Sequence, residues 1–140
     1  MKTKLSLAVL LCAGMLYAKD MVVPVSELPS NAQNFISQNF KGSNATLVKK
    51  DIDSYEVSLS DGTELDFMAN GEWKEVDGKY KAIPLDFLPK ELLGKAQTSQ
   101  ANAQIIKVEK EINGYKFQFN NNMKVYVDPN GNVLGQKMDD

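Results

Sequence analysis

The feature that most constrains this chain is a similarity between two of its stretches that lie sixty residues apart. Residues 83 to 90 read IPLDFLPK, and residues 23 to 30 read VPVSELPS. A shift of sixty residues without any gap superimposes identical residues at turns and apolar positions: Pro24 on Pro84, Leu28 on Leu88, Pro29 on Pro89, Val48 on Val108, Ile52 on Ile112, Tyr55 on Tyr115 and Gly71 on Gly131. The sequence therefore predicts two copies of one supersecondary unit, at residues 23 to 77 and 83 to 137.

Residues 1 to 18 have the pattern of a cleaved secretory signal peptide. Two lysines precede an apolar run over residues 5 to 16, which is too short to span a bilayer. Ala18 offers a small residue before the cleavage point, so we expect the mature chain to form a single domain over residues 19 to 140. A signal peptide in turn predicts a periplasmic or secreted protein.

Cys12 is the only cysteine, and it lies inside this predicted leader. A lipid-attachment site at Cys12 is the alternative, but bulky Leu11 stands where such a site has a small residue. Without Cys12, the mature chain has no thiol for a disulfide, a nucleophile or a metal site. The chain also has no His and no Arg, and its formal net charge is −2, which argues against a nucleic-acid partner. No later apolar run approaches the length of a membrane span, so none is expected in the mature chain.

Each predicted unit consists of a helix followed by four strands. Pro29 suits the first turn of a helix, and apolar residues then recur at helical spacing until Gly42. The second helix is predicted from Pro89 to about Ser99. After each helix the apolar period changes to two, which is typical of strands with one buried face. The predicted fold class is α+β, with two tandem repeats that each comprise one helix and a four-stranded antiparallel meander, and with the helices on one face of the sheet.

Side-chain parity predicts the turns that join these strands. Placing Ile52 opposite Tyr55 requires a two-residue turn at residues 53 to 54, and the second unit then turns at residues 113 to 114. Three-residue loops that end in a left-handed glycine are predicted at residues 60 to 62, 69 to 71 and 129 to 131.

The same parity directs Tyr55 and Trp73 towards the helices. It also directs Lys50 and Lys110 inward, where an ammonium group is unfavourable. We therefore expect these lysines to extend to the rim of the sheet, or a bulge to redirect them.

The turn motifs resemble those of a known family. They are SDG at residues 60 to 62, NGEW at residues 70 to 73, the repeated LP before each helix, and VYVDPNGNVLG at residues 125 to 135. Together they resemble the PepSY-like, or β-lactamase-inhibitor-protein-like, family of small secreted bacterial proteins, over essentially the whole mature chain. The resemblance implies a sheet with helices on one face and the other face open, a periplasmic or secreted setting, and a binding or inhibitory role without catalytic residues.

The predicted open face carries carboxylates in the first unit and a different set of side chains in the second. The candidate partner-binding residues are Asp51, Glu56, Glu64, Asp66, Lys116, Lys124 and Tyr126. Pairing places the carboxylates of the first unit side by side, although like charges that lie directly opposite each other are destabilising. One interpretation is a solvated face whose repulsion is screened by salt. The other is a surface for a Lys- or Arg-bearing protein or peptide, with Tyr126 as the anchor and the carboxylates steering association.

Catalysis is not expected, because a chain without His, Arg or a mature Cys offers no motif for nucleophilic or acid–base chemistry. No cofactor is expected either. The loop over residues 128 to 132 resembles a calcium loop, but it lacks the ligand spacing and the distal Glu of an EF-hand, and its Pro and Gly explain it as a turn. We expect a non-catalytic periplasmic binding or inhibitory module with a protein or peptide partner in the cell envelope. The alternative is a calcium-responsive envelope protein that binds the ion through carboxylates of the first unit.

Overall fold

A computed structural model describes residues 20 to 139 of the chain. The predicted signal peptide, with Cys12, lies outside the described residues. In chain order the elements are β1 (Met21–Val23), a 3₁₀ turn (Val25–Glu27), α1 (Ser30–Asn39), β2 (Ala45–Lys50), β3 (Ser54–Leu59), β4 (Glu64–Met68), β5 (Trp73–Asp77), α2 (Lys90–Ser99), β6 (Ile105–Glu111), β7 (Gly114–Phe119), β8 (Met123–Val127) and β9 (Val133–Met138).

The nine strands form one antiparallel sheet whose spatial order follows the chain, from β1 at one edge to β9 at the other. β5 pairs directly with β6, with Val76 opposite Val108. β1, which precedes the first helix, pairs with β2. The predicted division into two tandem helix-plus-four-strand repeats is therefore wrong, although the fold class is α+β. Two separate meanders would each leave an unpaired edge at β5 and β6, and joining these strands satisfies their backbone groups.

The hydrophobic core lies between one face of the sheet and both helices. One row of residues crosses the sheet at positions that are at most 1 % exposed: Val48, Val57, Leu65, Val76, Val108, Phe117 and Val125. Ala32 and Ile36 from α1 pack on the same cluster as Leu92 and Ala96 from α2. Both helices therefore cover the same face, and the opposite face of the sheet is left open.

The repeated Leu-Pro pair lies immediately before each helix. Pro29 and Pro89 occupy the position before the first helical residue, where a missing N–H group costs nothing. The leucines before them, Leu28 and Leu88, are buried in the core. The Leu-Pro pair therefore anchors the chain and starts the helix at the same point.

The three-residue loops predicted from parity are confirmed. Gly62, Gly71 and Gly131 have φ angles of 93°, 89° and 87°, in the left-handed region that favours glycine. Each of these glycines donates its N–H to the residue three positions before it, at 2.9 to 3.0 Å. Type I turns closed by a glycine bulge thus set the register of these hairpins.

The predicted register of the β2–β3 and β6–β7 hairpins is wrong by two residues. Tyr55 lies opposite Lys50 instead of Ile52, and Tyr115 lies opposite Lys110. The side chain of Ile52 is consequently 84 % exposed. The predicted register would have placed Lys50 opposite Val57, which is fully buried, and a buried unpaired ammonium is costly. A shift of two residues preserves parity, so β2, β3, β6 and β7 still present the predicted face to the helices.

In the observed register the two inward lysines end over aromatic rings at the rim of the sheet. The Nζ atom of Lys110 lies 4.5 Å from the centre of the Trp73 ring, and that of Lys50 lies 5.9 Å from the centre of the Tyr55 ring. Both aromatic residues are half-buried against the core. Cation–π contact and partial hydration therefore compensate the two ammonium groups.

Candidate partner-binding face

The face of the sheet away from the helices carries a continuous line of directly paired residues that crosses all nine strands. The direct cross-strand partners in this line, called the open-face row, are Val22, Lys49, Glu56, Asp66, Glu75, Glu109, Lys116, Tyr126 and Gly135. Four successive members, from β3 to β6, are acidic. Adjacent strands are about 4.8 Å apart, so these four carboxylates extend over roughly 14 Å.

The structure brings most of the sequence-predicted site residues onto this face. Glu56 lies opposite Asp66, and Glu64 is one step along β4. In the other half of the sheet Lys116 lies opposite Tyr126, with Lys124 one step along β8. The two groups are separated by β5 and β6, so they lie at opposite sides of one surface.

Asp51 is the exception among the predicted residues. It was expected opposite Glu56, but Lys49 occupies that position because of the two-residue shift in register. Asp51 instead follows the end of β2, where it lines a pocket of about 100 Å³. The charged residues around this pocket are Asp20, Lys49, Asp51, Glu56, Asp66 and Lys74.

Sequence reasoning missed the middle of the row. Glu75 on β5 and Glu109 on β6 lie opposite each other. With Glu56 and Asp66 they form the acidic part of the open-face row, called the acidic segment. They were missed because the pairing of β5 with β6 was not predicted, and because a bulge in β5 places Glu75, instead of Lys74, opposite Asp66. Alternation from Trp73, which parity directs inward, would place Glu75 inward too, so only the apolar neighbours Val76 and Val108 signalled the outward direction of the two carboxylates.

The acidic segment is incompletely neutralised. Burial raises the pKa of Asp66, and the charge of Glu56 raises it further, against the opposing effect of Lys74. Burial likewise raises the pKa of Glu75, although Lys107 opposes this with its Nζ atom 3.7 Å from Glu75 Oε1. Among residues 20 to 139, neither Glu56 nor Asp66 forms an ion pair within 4.0 Å. The like-charged pair between β3 and β4 therefore forms no ion pair in the described part of the chain, although Lys49 lies opposite Glu56 on β2 and Lys74 lies near Asp66.

The charges in the other half of the sheet are paired. The Nζ atom of Lys116 lies 3.2 Å from Glu109 Oε1, and that of Lys124 lies 3.2 Å from Asp139 Oδ1. Burial favours a lower pKa for Lys116, but the hydrogen bond and the charge of Glu109 outweigh it, so the pKa is raised. Lys116 is thus held as a cation next to Tyr126.

An apolar pocket of about 340 Å³ lies at the corner where this half of the face ends. Tyr126, Tyr115, Ile112 and Leu134 are among its lining residues. Ile112 is 101 % exposed and Leu134 is 63 % exposed, so the pocket opens onto solvent with apolar rims. Aromatic and aliphatic groups in this arrangement suit an apolar anchor of a binding partner.

No ready metal site occurs within residues 20 to 139, where no three acidic side chains are grouped closely enough to hold an ion. In the loop over residues 128 to 132, Asp128 Oδ1 accepts the backbone N–H groups of Asn130 and Asn132, both at 2.9 Å. Its Oδ2 accepts the side-chain amide of Asn132 at 3.0 Å. The carboxylate is therefore engaged in stabilising the turn. Neither helix in the described part of the chain is long and apolar enough to cross a membrane.

Two stretches of the chain, residues 14 to 61 and residues 53 to 135, match a protein-family model described as "Putative beta-lactamase-inhibitor-like, PepSY-like". No curated protein matches the chain. Several solved structures are similar to it over nearly their whole length.

A protein of Bacteroides vulgatus, described as a "putative periplasmic protein of unknown function", is 31 % identical with a TM-score of 0.78, and the match covers 84 % of this chain and 98 % of that one. A Bacteroides thetaiotaomicron protein, described as a "putative calcium-regulated periplasmic protein", is 29 % identical with a TM-score of 0.78, over 84 % and 96 % of the two chains. A second B. vulgatus protein, a "putative periplasmic protein", is 28 % identical with a TM-score of 0.79, over 86 % and 98 %.

Proposed function

We propose that this chain, which belongs to the PepSY-like family of β-lactamase-inhibitor-like proteins, is a non-catalytic periplasmic binding module that engages a protein or peptide partner through its open sheet face. The periplasmic setting is supported by the three relatives described as periplasmic proteins and by the signal-peptide pattern of residues 1 to 18. The family description, in turn, favours recognition of another protein over catalysis.

The observation that carries the proposal is the unpaired acidic contact between Glu56 and Asp66. Like charges directly across a strand pair destabilise a sheet, and the two lysines beside this pair, Lys49 and Lys74, form no ion pair with it within 4.0 Å among residues 20 to 139. A lysine or arginine from a partner would supply the close ion pair that these two lysines do not form. The acidic segment is long enough for two basic side chains, since it extends over roughly 14 Å.

The partner's chemistry follows from the two ends of the face. Carboxylates steer a basic surface into contact and accelerate its association. Tyr126 and the apolar pocket beside it receive an aromatic or aliphatic side chain, which supplies most of the affinity. We therefore expect a partner segment with basic residues over β3 to β6 and an apolar residue over β7 to β9.

The test is affinity capture of partners from periplasmic extract with the wild-type protein and with the double variant Glu56→Gln/Asp66→Asn. The double variant should lose the captured partner, and wild-type capture should weaken as salt is raised from about 50 to 500 mM, because screening shortens the reach of the charges. A matched control, Glu72→Gln/Asp86→Asn, removes two exposed acidic charges that lie outside the open-face row. Equal capture by all three proteins would show that the acidic segment takes no part in binding.

A second candidate function is calcium response. The relative described as "putative calcium-regulated" favours it. So do the four carboxylates of the pocket near the end of β2, from Asp20, Asp51, Glu56 and Asp66, although Lys49 and Lys74 line the same pocket. Because these carboxylates are not grouped as a ready site, an ion would have to draw them together. Millimolar calcium should then raise the melting temperature of the wild-type protein but not that of Asp51→Asn, while magnesium serves as the control. A melting temperature that calcium leaves unchanged would remove this candidate.

A further inference from the structure

The apolar pocket beside Tyr126 borders a glycine that neither packing nor backbone conformation requires. Tyr126 on β8 lies directly opposite Gly135 on β9. A Cβ atom added at Gly135 would meet nothing within 4 Å, and the φ angle of Gly135 lies outside the left-handed region. A glycine inside a strand lowers stability, because it loses more chain entropy on folding and has no side chain to pack. The effect of Gly135 is to leave open space beside the Tyr126 side chain.

The ring of Tyr126 is also free of contact with other rings and with cations. None of the aromatic pairs within residues 20 to 139 includes Tyr126. No lysine in the same range lies over its ring. Lys116, its neighbour on β7, is held by Glu109 at 3.2 Å. The ring is therefore available to stack on a group from outside the chain.

A bulge in β9 supplies an apolar rim for this space. Tyr126 pairs with Gly135 and Val127 pairs with Val133, so Leu134 is the extra residue of the bulge. Bulges redirect side chains, and the exposed side chain of Leu134 lines the same pocket as Tyr126. The pocket volume of about 340 Å³ lies in the range of sites that hold small ligands.

The charge at the pocket restricts what fills it. Among its lining residues, all of which belong to the described part of the chain, Glu111 is the only charged one. The exposed carboxylate of Glu111 forms no ion pair within 4.0 Å among residues 20 to 139. A positive charge on the incoming group is therefore attracted, and a negative charge is repelled.

We propose that this pocket receives an aromatic side chain that stacks on Tyr126 and that has a basic residue beside it in the partner's sequence. The inference rests on the proposed function and narrows it, because that function leaves open whether the anchor is aromatic or aliphatic. Paired rings stabilise a contact beyond the area that they bury, and an aliphatic side chain gains the burial alone. Gly135 leaves room for the second ring, and Glu111 selects the basic neighbour.

The test is an NMR titration of isotope-labelled protein, purified from the periplasm after expression of the full-length sequence. The probes are acetyl-Trp-Lys-amide, acetyl-Leu-Lys-amide and acetyl-Trp-Glu-amide, each added up to about 10 mM, because ligands of this size bind in the millimolar range. Acetyl-Trp-Lys-amide should shift the backbone amide signals of Tyr126, Leu134 and Gly135. It should bind about 3–10-fold more tightly than the Leu peptide, and about 2–10-fold more tightly than the Glu peptide.

Gly135→Thr separates a role in binding from a role in folding. The threonine fills the space beside Tyr126 and adds a β-branched residue to β9, so it should raise the melting temperature and yet weaken acetyl-Trp-Lys-amide at least about fivefold. Gly94→Ala is the matched control, since a Cβ atom at Gly94 also meets nothing within 4 Å. It should raise the melting temperature as well, because alanine favours a helix, but it should leave the affinity unchanged.

Two further variants test the ring and the charge separately. Tyr126→Leu keeps an apolar side chain and removes the ring, so it should abolish the preference for Trp over Leu. Glu111→Gln should abolish the preference for Lys over Glu. The melting temperatures of both variants report whether the fold is kept.

The wild-type protein overturns the proposal if it binds none of the peptides, or if it binds the Trp and Leu peptides equally. Undiminished binding by Gly135→Thr, or a melting temperature that this variant lowers, would overturn it too. So would peptide-induced shifts confined to the acidic segment, or shifts at Tyr126 that follow protein concentration without peptide, because a second copy would then fill the pocket. Failure of the proposed function is recognised separately, since the capture comparison with Glu56→Gln/Asp66→Asn leaves the pocket intact.

Discussion

The two halves of the sheet, β2–β5 and β6–β9, are alike on the helix side and different on the open side. On the helix side Val57 and Phe117 are both fully buried at corresponding places in β3 and β7. On the open side Glu56 meets the like-charged Asp66, whereas Lys116 forms an ion pair with Glu109 at 3.2 Å. Burial restricts the core face to apolar side chains, while solvent permits any polar side chain on the other face. Specific recognition is therefore expected where the halves differ.

The largest expected effects test the likeness of the two helix-side faces. Phe67→Ala and Phe117→Ala each remove a fully buried ring, one from each half. Each variant should lower the free energy of unfolding by about 3–5 kcal/mol, because a cavity is left in one shared core. Urea denaturation followed by circular dichroism measures both values. A large loss for one variant and a loss below about 1 kcal/mol for the other would contradict the shared core.

The second prediction compares a glycine turn in each half, because the two turns pack against different kinds of neighbour. Gly71 and Gly131 both have a left-handed φ. A Cβ atom at Gly71 would meet the side chain of Asn31, whereas one at Gly131 would meet the backbone of Glu91 at the start of α2. A side chain can move aside and a helix backbone cannot. Gly71→Ala should therefore cost about 1 kcal/mol and Gly131→Ala about 3 kcal/mol in unfolding free energy.

The outcome that would contradict this second prediction is an equal cost for the two alanine variants. It would mean that strain at the left-handed turn dominates and that the contact with α2 adds nothing. Gly62→Ala is the matched control, since a Cβ atom there meets nothing within 4 Å and reports the turn strain alone.

The third prediction concerns the sign of the charge effects on the open face. Lys116→Met removes the partner of Glu109 and leaves that carboxylate close to Glu75, so the free energy of unfolding should fall by about 1 kcal/mol. Glu56→Gln relieves the repulsion with Asp66 and should raise it by about 0.2–1 kcal/mol. Both values come from urea denaturation at low salt. A fall in both variants would show that the acidic segment stabilises the free protein.

The smallest expected effect is a dependence of stability on pH that arises in the β2–β5 half. Burial raises the pKa values of Asp66 and Glu75. The folded chain therefore binds protons at these sites more tightly than the unfolded chain. Their contribution to the free energy of unfolding rises as the pH falls from neutral towards the ordinary carboxyl range near pH 4, and is lost as the pH rises again.

This fourth prediction is checked with Asp66→Asn and Glu75→Gln, which should each flatten the slope of unfolding free energy against pH between about 7 and 4. The change should stay below about 1 kcal/mol, because both groups are half-exposed and screened. Asp86→Asn, at an exposed position, should leave the slope unchanged. A slope that Asp66→Asn does not alter would place the pH dependence elsewhere.

Local patterns in the sequence predicted most of the hairpins and the two faces of the sheet. The left-handed turns at Gly62, Gly71 and Gly131 follow from parity and from glycine's freedom at positive φ. The register of β2 against β3 did not follow, because two pairings with the same parity differ only in what lies opposite Lys50. Its observed partner, Tyr55, offers a ring and a route to solvent, which is a property of the assembled rim.

Part of the candidate site could not be predicted from the sequence, for a related reason. The opposition of Glu56 and Asp66 lies within one hairpin, and hairpin rules are local. The opposition of Glu75 and Glu109 depends on pairing between strands that a helix separates in the chain, and on a bulge at residues 74 to 75. Neither this pairing nor this bulge can be predicted from the apolar period, because the period shows which face of the sheet a side chain lies on and not which strand lies beside it.

The sequence by itself determined where the helices begin, which side chains point inward and how most turns close, since steric limits on φ and the alternation of side chains act over a few residues. Only the tertiary structure decided that β5 joins β6 in one sheet and that four carboxylates consequently line up across it. The reason is that strand pairing satisfies the backbone N–H and C=O groups of any two strand edges that come together. The residues of β5 or of β6 do not by themselves specify which strand becomes the partner.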